Sequence, residues 1–446
     1  MLPDPDHDPS HGSADETGAG PIRRALLSDN AQVDAGGRLS IAGVDIVELA
    51  DEFGTPVFVY DEDHMRSRCR EAVSAWGPGV AYASKAFLCK AMARLVCEEG
   101  MSIDVSTGGE MHVATAAGVP AERLVLHGNN KSHSELAEAL EIGVGRIVVD
   151  SFDEIDRLER LVGGETTSAR RPKVLIRVTP GIEAHTHEYV MTGQDDSKFG
   201  FGLASGDAGQ AVDRLRRPDS PADLVGVHVH IGSQIFALES FEKAAGVIAE
   251  FFNPLGLPEL CLGGGLGVGY VDGEDAPTIS EWASRSKLGL EAAGIDPAVR
   301  VTAEPGRAIV AAAALTCYTV GTVKEVRGIR TYVSVDGGMS DNPRPVLYGS
   351  GYEAFLPARA DLPRPRRVTI VGKHCESGDV IVREAHVPDD LAVGDLLATP
   401  VTGAYGHSMA STYNKVPRPP VVFVRDGEPR LVVRRETFDD LTSLDI

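Results

Sequence analysis

Lys85 ends the apolar run Val80-Ala-Tyr-Ala-Ser-Lys85-Ala-Phe87, just before a helical pattern begins, and is the first of four groups whose type and place could do chemistry. A lysine at the C-terminal mouth of a buried strand is partly desolvated, which lowers its pKa and frees an amine to form a Schiff base. Alone it reads more readily as a solvated loop charge, as most lysines are. The second group is His228-Val-His230-Ile-Gly-Ser233, where alternate strand positions put two imidazoles on one face, a pattern that could also bind a metal. The third is Gly263-Gly264-Gly265-Leu-Gly267 and the fourth Glu304-Pro-Gly306-Arg307. A glycine cluster is usually a turn, and Glu304 with Arg307 could be a surface ion pair of little consequence.

Taken together, the four groups point one way. The backbone N–H groups of Gly263, Gly264 and Gly265, with the Ser233 hydroxyl, would form an anion nest suited to a phosphate. A carboxylate such as Glu304 opposite a pyridine nitrogen keeps that nitrogen protonated, because an adjacent negative charge favours the cationic form. An imidazole such as His230 can lie flat on an aromatic ring, and Lys85 supplies the amine. A phosphate cradle, a ring-nitrogen partner, a stacking ring and a Schiff-base lysine specify pyridoxal 5'-phosphate.

The elements that must position these residues are legible in the hydrophobic pattern. From Val80 onward, apolar runs alternate with helical patterns: 80–83, 102–105, 123–127, 146–150, 173–179, 224–231, 259–262 and 300–303. Ser132-His-Ser-Glu135 and Ser151-Phe-Asp-Glu154 are capping-box signals at helix starts. Near-continuous apolar strands alternating with helices imply a parallel sheet with its outer face covered. Eight units fit a (β/α)8 TIM-type barrel, whose site lies at the C-terminal strand ends. A doubly wound open sheet is the structural alternative.

After Ala311 the helical rhythm stops, and strands separated by Gly, Pro and Asp turns predict an all-β second domain. Two short strands around Asp34-Ala-Gly-Gly37, and a helix over 44–53 closed by Gly54, are expected to complete it. The domain reading is therefore a pyridoxal-phosphate-binding barrel over 55–311, a β-domain built from 22–54 and 312–446, and an acidic, disordered tail over 1–20.

Composition narrows the partners. The formal net charge is -22, from 43 Lys+Arg against 65 Asp+Glu. Such a surface repels nucleic acid and anionic membrane, which leaves a small molecule as the expected partner. The six cysteines include no Cys-x-x-Cys pair, so no zinc ribbon or disulfide framework is expected; free thiols point to the cytoplasm, and no metal is expected. No apolar run is long enough to cross a bilayer.

These segments, with Asp196-Ser-Lys-Phe-Gly200, resemble the barrel-type pyridoxal-phosphate decarboxylases of fold type III. Asp336-Gly-Gly-Met-Ser-Asp-Asn342, Gly372-Lys-His-Cys375-Glu376-Ser-Gly-Asp379 and Thr402-Gly-Ala-Tyr405-Gly narrow the resemblance to the diaminopimelate decarboxylases, from about residue 25 to the C-terminus. The resemblance implies that Lys85 anchors the cofactor and His230 stacks on its ring. It implies that Ser233, Gly263, Gly264, Gly265, Gly306 and Arg307 hold the phosphate, and that Glu304 faces the ring nitrogen. It makes Arg307, Arg344, Tyr348, Glu376 and Tyr405 substrate-binding, with Tyr405 also reaching the cofactor. Cys375 becomes the proton donor, supplied across a homodimer with shared active sites. One departure is Gly406-His407-Ser408 after Tyr405, which bears on local packing. The implied reaction converts meso-2,6-diaminopimelate to L-lysine and CO2, the last step of lysine biosynthesis. The alternative is a decarboxylase of the same fold acting on ornithine, arginine or another basic amino acid. Further rivals are a regulator that binds the cofactor without catalysis and a metal-dependent hydrolase using His228 and His230, which would need more ligands at other strand ends.

Overall fold

The computed structural model describes residues 19–165, 171–181 and 197–446. The expected acidic tail lies outside the described residues up to residue 18, as does Asp196 of the Asp196–Gly200 segment.

Eight parallel strands form the barrel: Ala81–Ala83, Ser102–Val105, Leu124–Leu126, Arg146–Val149, Lys173–Thr179, Asp223–Val229, Glu259–Cys261 and Arg300–Thr302. They pair in chain order, and the ring closes where Ala81 N–H donates to Ala303 O at 3.0 Å and Ala83 N–H to Pro305 O at 3.2 Å. Their apolar residues, such as Val174, Ile176 and Val178, are buried because the helices between strands cover the sheet's outer face. The helix starts follow local chemistry. Ser132 and Glu135 form a complete capping box ahead of His133–Ile142. Ser151 caps Phe152–Arg160 through the Glu154 N–H, but the Glu154 carboxylate does not reach back to the cap. It accepts from the Asp150 N–H instead and pairs with the buried Lys131 at 2.7 Å, so this signal is half a capping box.

The second sheet runs, in spatial order, Val380–Val387, Arg366–Val371, Arg330–Val335, Ala314–Val326, Val57–Asp61, Val421–Arg425 and Glu428–Val433, with Leu396–Pro400 also on Ala314–Val326. One expected boundary changes here. The barrel was expected to begin at residue 55, yet Val57–Asp61 is a strand of the second sheet, antiparallel to Ala314–Val326 and parallel to Val421–Arg425. All five of its residues are buried, as a central strand covered on both faces requires. The strands near residue 34, expected to complete the β-domain, do not join that sheet. They form their own three-stranded sheet, Ala31–Val33, Leu39–Ile41 and Val44–Asp45, followed by the helix Ile46–Phe53. That helix is capped by the Asp45 carboxylate and ends at Gly54, whose φ of 69° suits glycine.

Candidate active site

Lys85 sits in the 3-10 turn Ser84–Ala86 directly after the first barrel strand. Its side chain is exposed at the barrel mouth, so the desolvation expected from sequence is absent in the single chain. The turn is short, and Lys85 is exposed whereas its neighbours Ser84 and Ala86 are buried. Its charge is felt by Asp104 on the second strand and by His230 after the sixth. Burial first, then the charge of Lys85, holds the His230 imidazole well below the ordinary histidine range, so the ring is neutral at pH 7.

His230 is fixed by the glycine loop, since the Gly264 N–H donates to its Nδ1 at 3.2 Å. The Gly263 N–H goes to Cys261 Sγ at 3.4 Å. Two of the three amides expected to cradle an anion therefore serve the loop itself, because the loop folds back onto the sixth and seventh strand ends. Glycine is required here by close approach. A Cβ at Gly264 would meet the Glu304 carbonyl oxygen at 2.4 Å, and at Gly265, with φ of 120°, the Gly232 oxygen at 2.5 Å. Gly306 likewise lies against Ala83, next to the Lys85 turn.

Glu304 is buried at the end of the last strand. Its Oε1 is 2.9 Å from His127 Nε2, and its Oε2 is 2.9 Å from His228 Nε2. Burial opposes ionisation, but the two imidazoles prevail and hold the carboxyl well below its usual range. Burial raises the Asp104 carboxyl to about 7, beside the same His127 at 3.8 Å. Burial lowers His228, whereas Asp104 and Glu304 outweigh burial at His127 and raise it. His127, His228 and Glu304 are of metal-ligating type and lie close enough to share an ion. The sequence reading missed His127 as a partner for Glu304 and His228, although it stands right after the third strand, where strand-end residues collect.

Arg307 donates to Ser233 Oγ at 2.9 Å and lies over the Tyr405 ring at 4.8 Å, bringing three of the expected residues together. Arg344, buried at the start of the helix Arg344–Tyr348, donates to Tyr352 Oη at 2.7 Å. Tyr348, Cys375 and Glu376 are exposed; the last two lie on the loop between Arg366–Val371 and Val380–Val387. There the Cys375 N–H donates to Asn414 Oδ1 at 3.3 Å, and Glu376 accepts from its own loop at the Gly378 N–H. Both of these hydrogen bonds stay within the second domain.

An accessible amine, an ionised buried carboxylate, a neutral imidazole held by a glycine loop and a buried guanidinium, that of Arg307, whose Nε has no acceptor among the described residues, match the parts of pyridoxal phosphate. Residues 62–311 match the family described as "Pyridoxal-dependent decarboxylase, pyridoxal binding domain". The chain is 49% identical over 439 residues to the diaminopimelate decarboxylase of Mycobacterium tuberculosis, covering 94% of this chain and 97% of that protein. It is 45% identical to the Bacillus subtilis enzyme of the same name, covering 94% and 98%. Diaminopimelate decarboxylase from M. jannaschii, solved in co-complex with L-lysine, superposes with a TM-score of 0.85 at 31% identity, covering 94% of this chain and 98% of that one.

The chain belongs to the pyridoxal-dependent decarboxylases, lyases of the (β/α)8-barrel-plus-β-domain type. Within that class it belongs to the diaminopimelate decarboxylases, which use pyridoxal phosphate to convert diaminopimelate to lysine.

Proposed function

We propose that the barrel mouth decarboxylates meso-2,6-diaminopimelate at its D-configured end, releasing L-lysine, and that the residues above divide the work as follows. Lys85 would hold pyridoxal phosphate covalently through Nζ and yield it to the substrate amine. The phosphate would lie against Ser233, Gly265, Gly306 and Arg307, and the ring against His230. Bound there, the cofactor supplies an electron-accepting ring conjugated to the reacting carbon. Glu304, kept ionised by two imidazoles, would keep the ring nitrogen protonated, and Cys375 Sγ or Lys85 Nζ would deliver the proton that replaces the departing carboxylate.

At the other end of the substrate, Arg307 and Arg344 are suited to the second carboxylate and Glu376 to the second ammonium. Ornithine or lysine bound for reaction brings no second carboxylate, leaving buried guanidinium charge unpaired at a cost of several kcal/mol. The observation that carries this reading is the pair Arg307 and Arg344, both buried and both without a carboxylate partner among the described residues.

Cys375, Glu376 and Tyr348 would complete the site of a second copy. Exposure of Val346, Leu347 and Tyr348 at 40%, 53% and 38% supports a homodimer packed on that helix. The described helices include none long and apolar enough to cross a membrane; a cytoplasmic enzyme is the reading we adopt. Purified protein incubated with meso-diaminopimelate, ornithine and arginine in turn, with CO2 and product followed, is the deciding experiment. Release of CO2 from diaminopimelate alone is expected, and turnover of another amino acid in its place would overturn the assignment.

A further inference from the structure

Tyr270 closes the glycine-rich loop, and no role above requires it. Its N–H donates to Glu274 Oε2 at 2.7 Å, and its side chain is 4% exposed. Its hydroxyl accepts from Arg307 Nη1 at 2.6 Å, while Arg344 Cζ lies 4.2 Å from its ring centroid. The Tyr352 ring meets it edge-on at 5.3 Å. Arg307 and Arg344 are 8% and 5% exposed, and their partners are Ser233, the Tyr270 and Tyr352 phenols and the aromatic faces of Tyr270, Tyr352 and Tyr405. Burial pushes the Tyr352 phenol up to about 12, so at neutral pH it adds no negative charge. Two desolvated cations among neutral partners repel each other and need their anions from a ligand. A π face in contact with one of them, on a side chain bonded to the other, offsets part of that repulsion and fixes their separation.

We propose that Tyr270 is a positioning residue for substrate selection: by accepting from Arg307 and carrying Arg344 on its ring, it sets the spacing at which the two guanidiniums receive the carboxylate on the unreactive end of the amino acid. This rests on the substrate reading above. The ligands it favours are those that bear that carboxylate, whether diaminopimelate or the lysine that leaves. A diamine of the same length without it gains nothing from the arrangement.

The test uses holoenzyme of wild type, Tyr270→Phe and Tyr270→Leu, titrated by calorimetry with L-lysine, which keeps the carboxylate, and with 1,5-diaminopentane, which lacks it. Loss of the hydroxyl alone should weaken L-lysine about tenfold, and loss of the ring as well about a hundredfold, while the diamine changes by less than about twofold. KM for diaminopimelate should rise in step, with kcat within about threefold. Unchanged L-lysine binding in both variants, or an equal loss for both ligands, overturns the proposal. If Tyr270→Leu does not fold, Tyr270→Phe decides by the same ratio. Wild type that fails to convert diaminopimelate withdraws the substrate reading itself; wild type that converts it beside unaffected Tyr270 variants withdraws only this inference.

Discussion

The Tyr405 N–H donates to the Ala86 carbonyl at 2.8 Å, so a loop of the second sheet holds the turn that carries Lys85. Ser408 donates its hydroxyl to the same oxygen at 3.0 Å. Tyr405 itself has a φ of 61°, a conformation sparsely used by non-glycine residues and held here by its surroundings. The Gly406-His407-Ser408 departure thus has a place: Ser408 braces the anchor turn, and His407 packs edge-on against Phe58 and Phe87.

Lys85→Ala should abolish turnover together with the visible absorbance of the bound cofactor, measured on protein purified with added pyridoxal phosphate. Retention of both would exclude the anchor role.

Ser408→Ala removes one of the two hydrogen bonds to Ala86, worth about 1 kcal/mol. A fall in kcat of about three- to tenfold with normal cofactor absorbance is expected, and Ser408→Thr, which keeps the hydroxyl, should recover it. Equal rates in all three proteins would show that the second bond is idle.

Glu304→Gln should bind the cofactor yet slow decarboxylation by about a hundredfold or more, because a neutral amide no longer favours a protonated ring nitrogen. Single-turnover kinetics would measure it, and a wild-type rate would remove Glu304 from that role.

Mixing Lys85→Ala with Cys375→Ala protein should restore part of the activity, since one of the two sites in the heterodimer then has both groups. No recovery in a heterodimer verified by mass would place Cys375 outside a shared site.

Burial lowers His407 from 6.5 to about 4. A depressed histidine contributes its stability above its unfolded pKa and loses it as pH falls from about 6.5 towards 4, because the unfolded chain takes up the proton first. Melting curves from pH 7 to pH 5 should therefore fall more steeply for wild type than for His407→Phe, by on the order of 2 kcal/mol in total. Parallel curves would mean that the ring titrates normally.

Much of this was readable from the chain. The second and fifth barrel strands have the limits their apolar runs imply, and the others shift by one or two residues, because burial on both faces leaves little doubt about a strand's core. Lys85, His230, Glu304 and Arg307 stand at strand ends, where local order alone places them. Val57–Asp61 fell inside the expected barrel range and was not read as a strand, because its pairing partners lie beyond residue 313 and no local pattern names them. His127 and Tyr270 were missed for a related reason: each matters through a contact with a distant residue, Glu304 or Arg344, and neither residue type announces that contact.

The Asp61 N–H is bonded to the Ala313 carbonyl at 2.8 Å, so the barrel leaves and rejoins the second sheet at one point. During synthesis, Val57–Asp61 emerges from the ribosome with both its neighbours, Ala314–Val326 and Val421–Arg425, still unmade. A buried apolar strand must wait for the whole barrel to be translated, which leaves it open to chaperones and to misassembly while the chain is incomplete.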